Sequence, residues 1–185
     1  MGKIILVLGG ARSGKSNFAC SLARKYKRVA FIATAEGGDD EMRRRIRLHR
    51  RERPAHWNTF EEPRNILRAL SAAGVDHDCV VVDCLTLLVS NLLLAKKSEA
   101  EISRTLSEAL AVIKKAKFRT VFVSNEVGLG LVPANRLGRL FRDTAGRVNR
   151  IVAAAADEVY FLFSGIPLRL KPGGTRGISI AKERK

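Results

Sequence analysis

In the stretch ILVLGGARSGKS, Gly9 and Gly14 bracket four residues and are followed directly by Lys15 and Ser16. This is the pattern of a phosphate-cradling loop. Backbone amides of Gly10, Ala11, Arg12, Ser13, Gly14, Lys15 and Ser16 would point at the β- and α-phosphate oxygens of a nucleotide, at a helix N-terminus that favours negative charge. Lys15 would neutralise β/γ oxygens, and Ser16 would ligate Mg²⁺. The flanks agree with this reading, since the apolar run Ile4 to Leu8 precedes the loop and a helical pattern follows it.

A phosphate loop of this kind needs an acid at the end of a neighbouring strand. CVVVDCLT supplies Asp83, at the carboxyl end of a four-residue apolar run. It would hold Mg²⁺ directly or through water. The plainer reading of Asp83 is an N-cap for the segment after it, a role compatible with the first. No guanine-recognition signature of the NKxD type is present, so the base is not legible and a signalling GTPase is disfavoured.

EMRRRIRLHRRERPAHW carries seven arginines between Arg43 and Arg53, with His49 near their middle. Arg45, His49 and Arg53 recur at four-residue spacing and share one face of a helix, with Met42 and Ile46 on an apolar edge beside it. Pro54 pushes Arg53 towards extended backbone and ends the helix. Three functions fit such a segment: a solvated basic face, a nucleic-acid grip, or cations gathered around a neutral imidazole that serves as nucleophile. His56 and His77 lack these cationic surroundings; His77 reads as a surface loop residue and His56 as a local packing or capping residue.

The elements that must position these groups alternate. Apolar, β-branched runs at Ile4 to Leu8, Val29 to Ala33, Cys79 to Val82, Thr120 to Val123 and Val159 to Phe163 read as strands buried on both faces. Helical periods occupy Gly14 to Lys27, Asp40 to Glu52, Glu62 to Ala73, Ala100 to Ala116 and Asn135 to Ala156. In the last of these, Leu137, Leu140, Phe141, Val148, Ile151 and Val152 form one stripe. Strand–helix alternation predicts an α/β fold with a mostly parallel sheet flanked by helices. The segment Glu126 to Pro133 reads equally as a connector or as a lid.

The 185 residues suit one domain, residues 1–171, followed by a loose basic tail at 172–185. Thirty-four Lys and Arg against 18 Asp and Glu give a net charge of +16, which predicts anionic partners. No apolar run is long enough for a signal core or a membrane span, so a cytoplasmic protein is expected. Cys20, Cys79 and Cys84 lack metal-type spacing and read as reduced core thiols.

The blocks GGARSGKS, IATAEGGDDEMRRRIRLHRRERPAHWNTFEEP, VVDCLT, SNEVGLGLVP, LGRLFRDTAGRVNR and AAADEVYFLFSGIPL resemble, in order across about residues 4 to 170, the bifunctional adenosylcobinamide kinase/adenosylcobinamide-phosphate guanylyltransferases of cobalamin biosynthesis. The resemblance implies a P-loop NTPase-like (RecA-like) domain acting on adenosylcobinamide and nucleoside triphosphates. A triphosphate phosphorylates adenosylcobinamide; GTP then gives up GMP through a guanylyl-histidine, forming adenosylcobinamide-GDP and pyrophosphate. It further implies that Gly9 to Ser16 bind GTP (or ATP), that His49 is the nucleophile alongside Lys15, and that Thr34, Ala35, Glu36, Arg53, Pro54 and Glu61 fall at nucleotide contacts. Asp83 is its strand-end acid, Mg²⁺ its metal, and a homotrimer with sites at subunit boundaries its assembly. No nucleic acid is expected. Two other readings use the same motifs: a basic P-loop switch that binds nucleic acid, and a small-molecule kinase in which His49 has no part.

Overall fold

The computed structural model describes residues 2–51 and 53–171, and in helix α2 the side chain of Arg45 is outside the description. The elements run β1 (Ile4–Gly9), α1 (Lys15–Ala23), β2 (Val29–Ala33), α2 (Asp40–Arg51), β3 (Asn58–Glu61), α3 (Ile66–Ala73), β4 (Cys79–Asp83), α4 (Leu85–Leu94), α5 (Glu99–Lys115), β5 (Arg119–Asn125), α6 (Arg136–Ala155), β6 (Glu158–Phe163) and β7 (Ile166–Lys171). Among the described residues one sheet holds seven strands in the order β3-β2-β4-β5-β1-β6-β7, parallel except for β7, which runs antiparallel to β6. The expected α/β architecture is therefore observed. Among the described residues no helix is long and apolar enough to cross a membrane.

Alternation along the central strands feeds two cores. Ile4, Leu6, Leu8, Ile32, Val80, Val82 and Phe122 point to the face covered by α3, α4, α5 and α6. Ile5, Val7, Phe31, Val81 and Val123 point to the opposite face, where α1 packs together with buried Trp57. Both faces being covered is why these strands read as unbroken apolar runs.

Five strands fall where the apolar runs predict them. Two further strands were not legible. β3 has only four residues, all exposed or half-buried, and β7 contains Pro167 with mostly exposed neighbours. Both are edge strands, which need no apolar run and tolerate proline. α4, LTLLVSNLLL, buries seven of its ten residues and so shows no helical period.

Helix ends differ for local reasons. α3 starts at Ile66 rather than Glu62, because Asn65 caps it by accepting the Arg68 amide at 3.1 Å. α1 stops at Ala23, short of the charged run Arg24 to Arg28. Asp83 is not the N-cap of α4; that position is Cys84, which makes no side-chain cap bond. On α6, Val148 and Val152 are buried as the stripe predicts, but Leu137 and Leu140 at its start are exposed. The expectations for Glu52, for the Arg45 side chain and for the tail at 172–185 lie outside the described residues.

Candidate active site

The carboxyl ends of β1, β2, β4 and β5 meet around a cavity of about 540 Å³. The loop between β1 and α1 forms one wall with Ala11, Arg12, Ser13, Gly14, Lys15 and Ser16. Its curvature depends on residues that accept a positive φ. Gly14 sits at 88°, and a Cβ on Gly9 (φ 152°) would lie 2.7 Å from Leu162 O, so each needs glycine. Gly9 and Gly10 shape the start of the loop and are not among the residues that line the cavity. The Lys15 side chain is buried and its Nζ donates to Gly10 O. Burial lowers its pKa, with Cys84 and Asp83 opposing.

Across the cavity Asp83 closes β4. Ser16 Oγ donates to its Oδ1 at 3.4 Å, and His49 Nδ1 lies 3.5 Å from its Oδ2. Burial raises the Asp83 pKa; His49 first and Arg53 second work against that rise. His49 comes from α2, whose Met42 and Ile46, the apolar edge expected beside it, also line the cavity; α2 ends at Arg51, so Arg53 does not share a helix face with His49 as its four-residue spacing predicts. Beyond the helix, the Arg53 guanidinium stacks 3.7 Å over the Phe31 ring and lines the same space. Its Nε has no hydrogen-bond partner among the described residues, and burial lowers its pKa.

Several residues implied by resemblance stand elsewhere. Ala35 lines the cavity, but Thr34, Glu36, Pro54 and Glu61 do not. Thr34 is fully buried behind the wall and bonds the backbone of Cys84. Glu36 pairs with Arg64 at 2.9 Å, and Glu61 pairs with Arg50 of α2 at 3.4 Å. The loop from Glu126 to Pro133 does not line the cavity either. The surface arginines of α2 are partly spoken for, since Arg43 pairs with Asp40 at 2.8 Å.

Asn125 was missed. It ends β5, between the phosphate-loop strand and the Asp83 strand, and lines the cavity while its Nδ2 donates to Thr86 Oγ1 at 3.0 Å. Only strand order could have singled it out. His77 is not a loose surface residue: its Nδ1 lies 2.8 Å from Ala73 O and its Nε2 3.0 Å from Asn58 Nδ2. Cys20, Cys79 and Cys84 are buried and form no disulfide. Burial pushes Cys79 up to about 12 and raises Cys84 as well, which leaves neither as a ready nucleophile.

Residues 5–170 match the family described as cobinamide kinase / cobinamide phosphate guanyltransferase. The chain belongs to this family. It is 42% identical over 180 residues to the bifunctional adenosylcobalamin biosynthesis protein CobU of Salmonella typhimurium, covering 91% of this chain and 99% of that protein. The Pseudomonas aeruginosa protein CobP, of the same description, is 42% identical over 167 residues, covering 90% of this chain and 96% of its own. Family membership makes the chain an enzyme of the bifunctional kinase and nucleotidyltransferase type in cobalamin biosynthesis. The fold is also that of a KaiC-like protein of Pyrococcus horikoshii, with a TM-score of 0.56 at 16% identity, covering 95% of this chain and 82% of that one. This likeness bears on the RecA-like P-loop architecture alone.

Proposed function

We propose that this chain carries out both family reactions in the one cavity. In the first, the hydroxyl of adenosylcobinamide attacks the γ-phosphorus of a nucleoside triphosphate, GTP or ATP; the bond from that phosphorus to its bridging oxygen breaks, nucleoside diphosphate leaves, and the hydroxyl proton passes to solvent. The loop amides from Gly10 to Ser16 hold the phosphates, and Lys15 neutralises charge that spreads over the transferring oxygens. In the second, His49 attacks the α-phosphorus of GTP and pyrophosphate leaves. The phosphate of adenosylcobinamide phosphate then displaces the histidine from the guanylyl phosphorus, giving adenosylcobinamide-GDP.

The observation that carries this reading is the convergence of His49 and Arg53 with Lys15, Ser16 and Asp83 on one cavity. A small-molecule kinase has no use for an imidazole beside its phosphate loop. Nor does a nucleic-acid switch, whose basic surface would work from outside. Ser16 Oγ and the Asp83 carboxylate are adjacent hard oxygen donors, suited to Mg²⁺ that takes its remaining ligands from phosphate and water. Such an ion would supply charge neutralisation at the transferring phosphate. Arg53, whose guanidinium carbon lies 3.7 Å from the centre of the Phe31 ring, lines the same space, and a guanidinium there suits an anionic oxygen.

A homotrimer fits the same reading. Leu129, Leu131, Val132, Leu137 and Leu140 cluster along the β5–α6 connection and the start of α6 with exposures of 42% to 96%, an apolar stretch that a subunit boundary would cover.

The deciding experiment uses GTP labelled at the α-phosphate. Wild type takes up an acid-labile, base-stable label, and His49→Ala does not, although it still phosphorylates adenosylcobinamide. Label that survives this substitution removes His49 from the chemistry.

A further inference from the structure

The two oxygens of Asp83 face different partners. Oδ1 accepts from Ser16 Oγ at 3.4 Å, while Oδ2 stands 3.5 Å from His49 Nδ1. The Asp83 side chain is only 10% exposed, against 44% for His49. The carboxylate is fixed to the sheet: the Asp83 carbonyl accepts the Thr34 amide at 2.9 Å, and the next residue, Cys84, is clasped by the Thr34 hydroxyl. The imidazole arrives on a helix and meets a carboxylate already held in place.

We propose that Asp83 is a positioning residue for His49, fixing its tautomer and ring orientation so that Nε2 is the atom that takes up the guanylyl group. The inference rests on the guanylyl-histidine reading above. A neutral imidazole carries one N–H and one lone pair. A carboxylate beside Nδ1 holds the proton there and leaves the lone pair on Nε2. The Nε2 lone pair forms the N–P bond, the bond from the α-phosphorus to its bridging oxygen breaks, and pyrophosphate leaves with that electron pair. The ring keeps its Nδ1–H and becomes a cation facing Asp83. When the acceptor phosphate oxygen attacks, the P–N bond breaks and its electrons return to Nε2. His77 is a contrasting case, because Ala73 O and the Asn58 amide occupy both its nitrogens.

The test uses the full chain with ¹⁵N-labelled histidine and takes two readouts. In the nucleotide-free protein, long-range ¹H–¹⁵N spectra should give His49 a pyrrole-type Nδ1 and a pyridine-type Nε2, assigned by loss of the signal in His49→Ala. Asp83→Asn, checked for folding by circular dichroism, should shift this ring towards the Nε2–H tautomer and slow labelling by GTP roughly 10²-fold. After reaction with GTP, phosphorus coupling should appear at Nε2. An Nε2–H tautomer in wild type, or coupling at Nδ1, overturns the inference and leaves the histidine intermediate standing. Absence of any covalent adduct removes the intermediate and this inference together.

Discussion

Thr34 is a strong lever on this site, although it does not touch the cavity. It is fully buried, and its hydroxyl both donates to Cys84 O at 2.8 Å and accepts from Cys84 N at 2.7 Å. Thr34→Val keeps the shape and removes both bonds. Cys84 O retains a second donor in the Leu88 amide at 3.1 Å, so its loss amounts to an ordinary hydrogen bond, about 1 kcal/mol. Among the described residues the Cys84 N–H has no acceptor besides the Thr34 hydroxyl. Leaving it buried and unpaired costs about 1–3 kcal/mol, for a total of about 2–4 kcal/mol. In a chain of this size that lowers Tm by roughly 4–16 °C. The assay is urea unfolding followed by far-UV circular dichroism, where the midpoint should fall at constant slope. Thr34→Ser, which keeps the hydroxyl, should lie much closer to wild type. A Thr34→Val protein within about 0.5 kcal/mol of wild type would refute the clasp. If that stable variant also lost nucleotide affinity, Thr34 would instead be the direct contact that the family resemblance implies.

Two further outcomes follow from separate parts of the fold. Glu101 closes the capping box of α5 with Ser98 and also pairs with Lys97, and the Ser98 backbone amide, first among these, holds its pKa down to about 2 against an ordinary 4.5. A depressed carboxylate pKa contributes stability that is present above about 4.5 and lost as pH falls towards 2. Glu101→Gln should therefore lower the urea midpoint at neutral pH, with the gap to wild type closing across that window; a gap independent of pH would count against it. Leu131 and Leu140 are 96% and 42% exposed, so Leu131→Asp/Leu140→Asp should leave subunit stability little changed. In sedimentation velocity it should convert trimers to monomers, and a wild type that sediments as a monomer would dismiss the trimer.

Local pattern was enough for much of this protein. The glycine spacing from Gly9 to Gly14 and the apolar run before it specify the phosphate loop, because that loop's turn is made within its own few residues. The five central strands were legible because burial on both faces demands unbroken apolar runs. Likewise Met42 and Ile46 form the apolar edge expected beside His49, and all three line the cavity. The edge strands β3 and β7 were not legible, since a short exposed strand carries no such signature, and α4 hid its period by being buried nearly all round. The residues that the resemblance implies divide for a reason that sequence does not carry: Ala35 and Arg53 line the cavity, while Thr34, between Ala33 and Ala35, turns inward to hold Cys84. Asn125 and the meeting of His49 with Asp83 belong wholly to the tertiary structure. They depend on β5 lying between β1 and β4 and on α2 reaching back over the sheet edge. Strand order and helix docking are set by packing summed over the whole core, and a window of neighbouring residues contains no term for it.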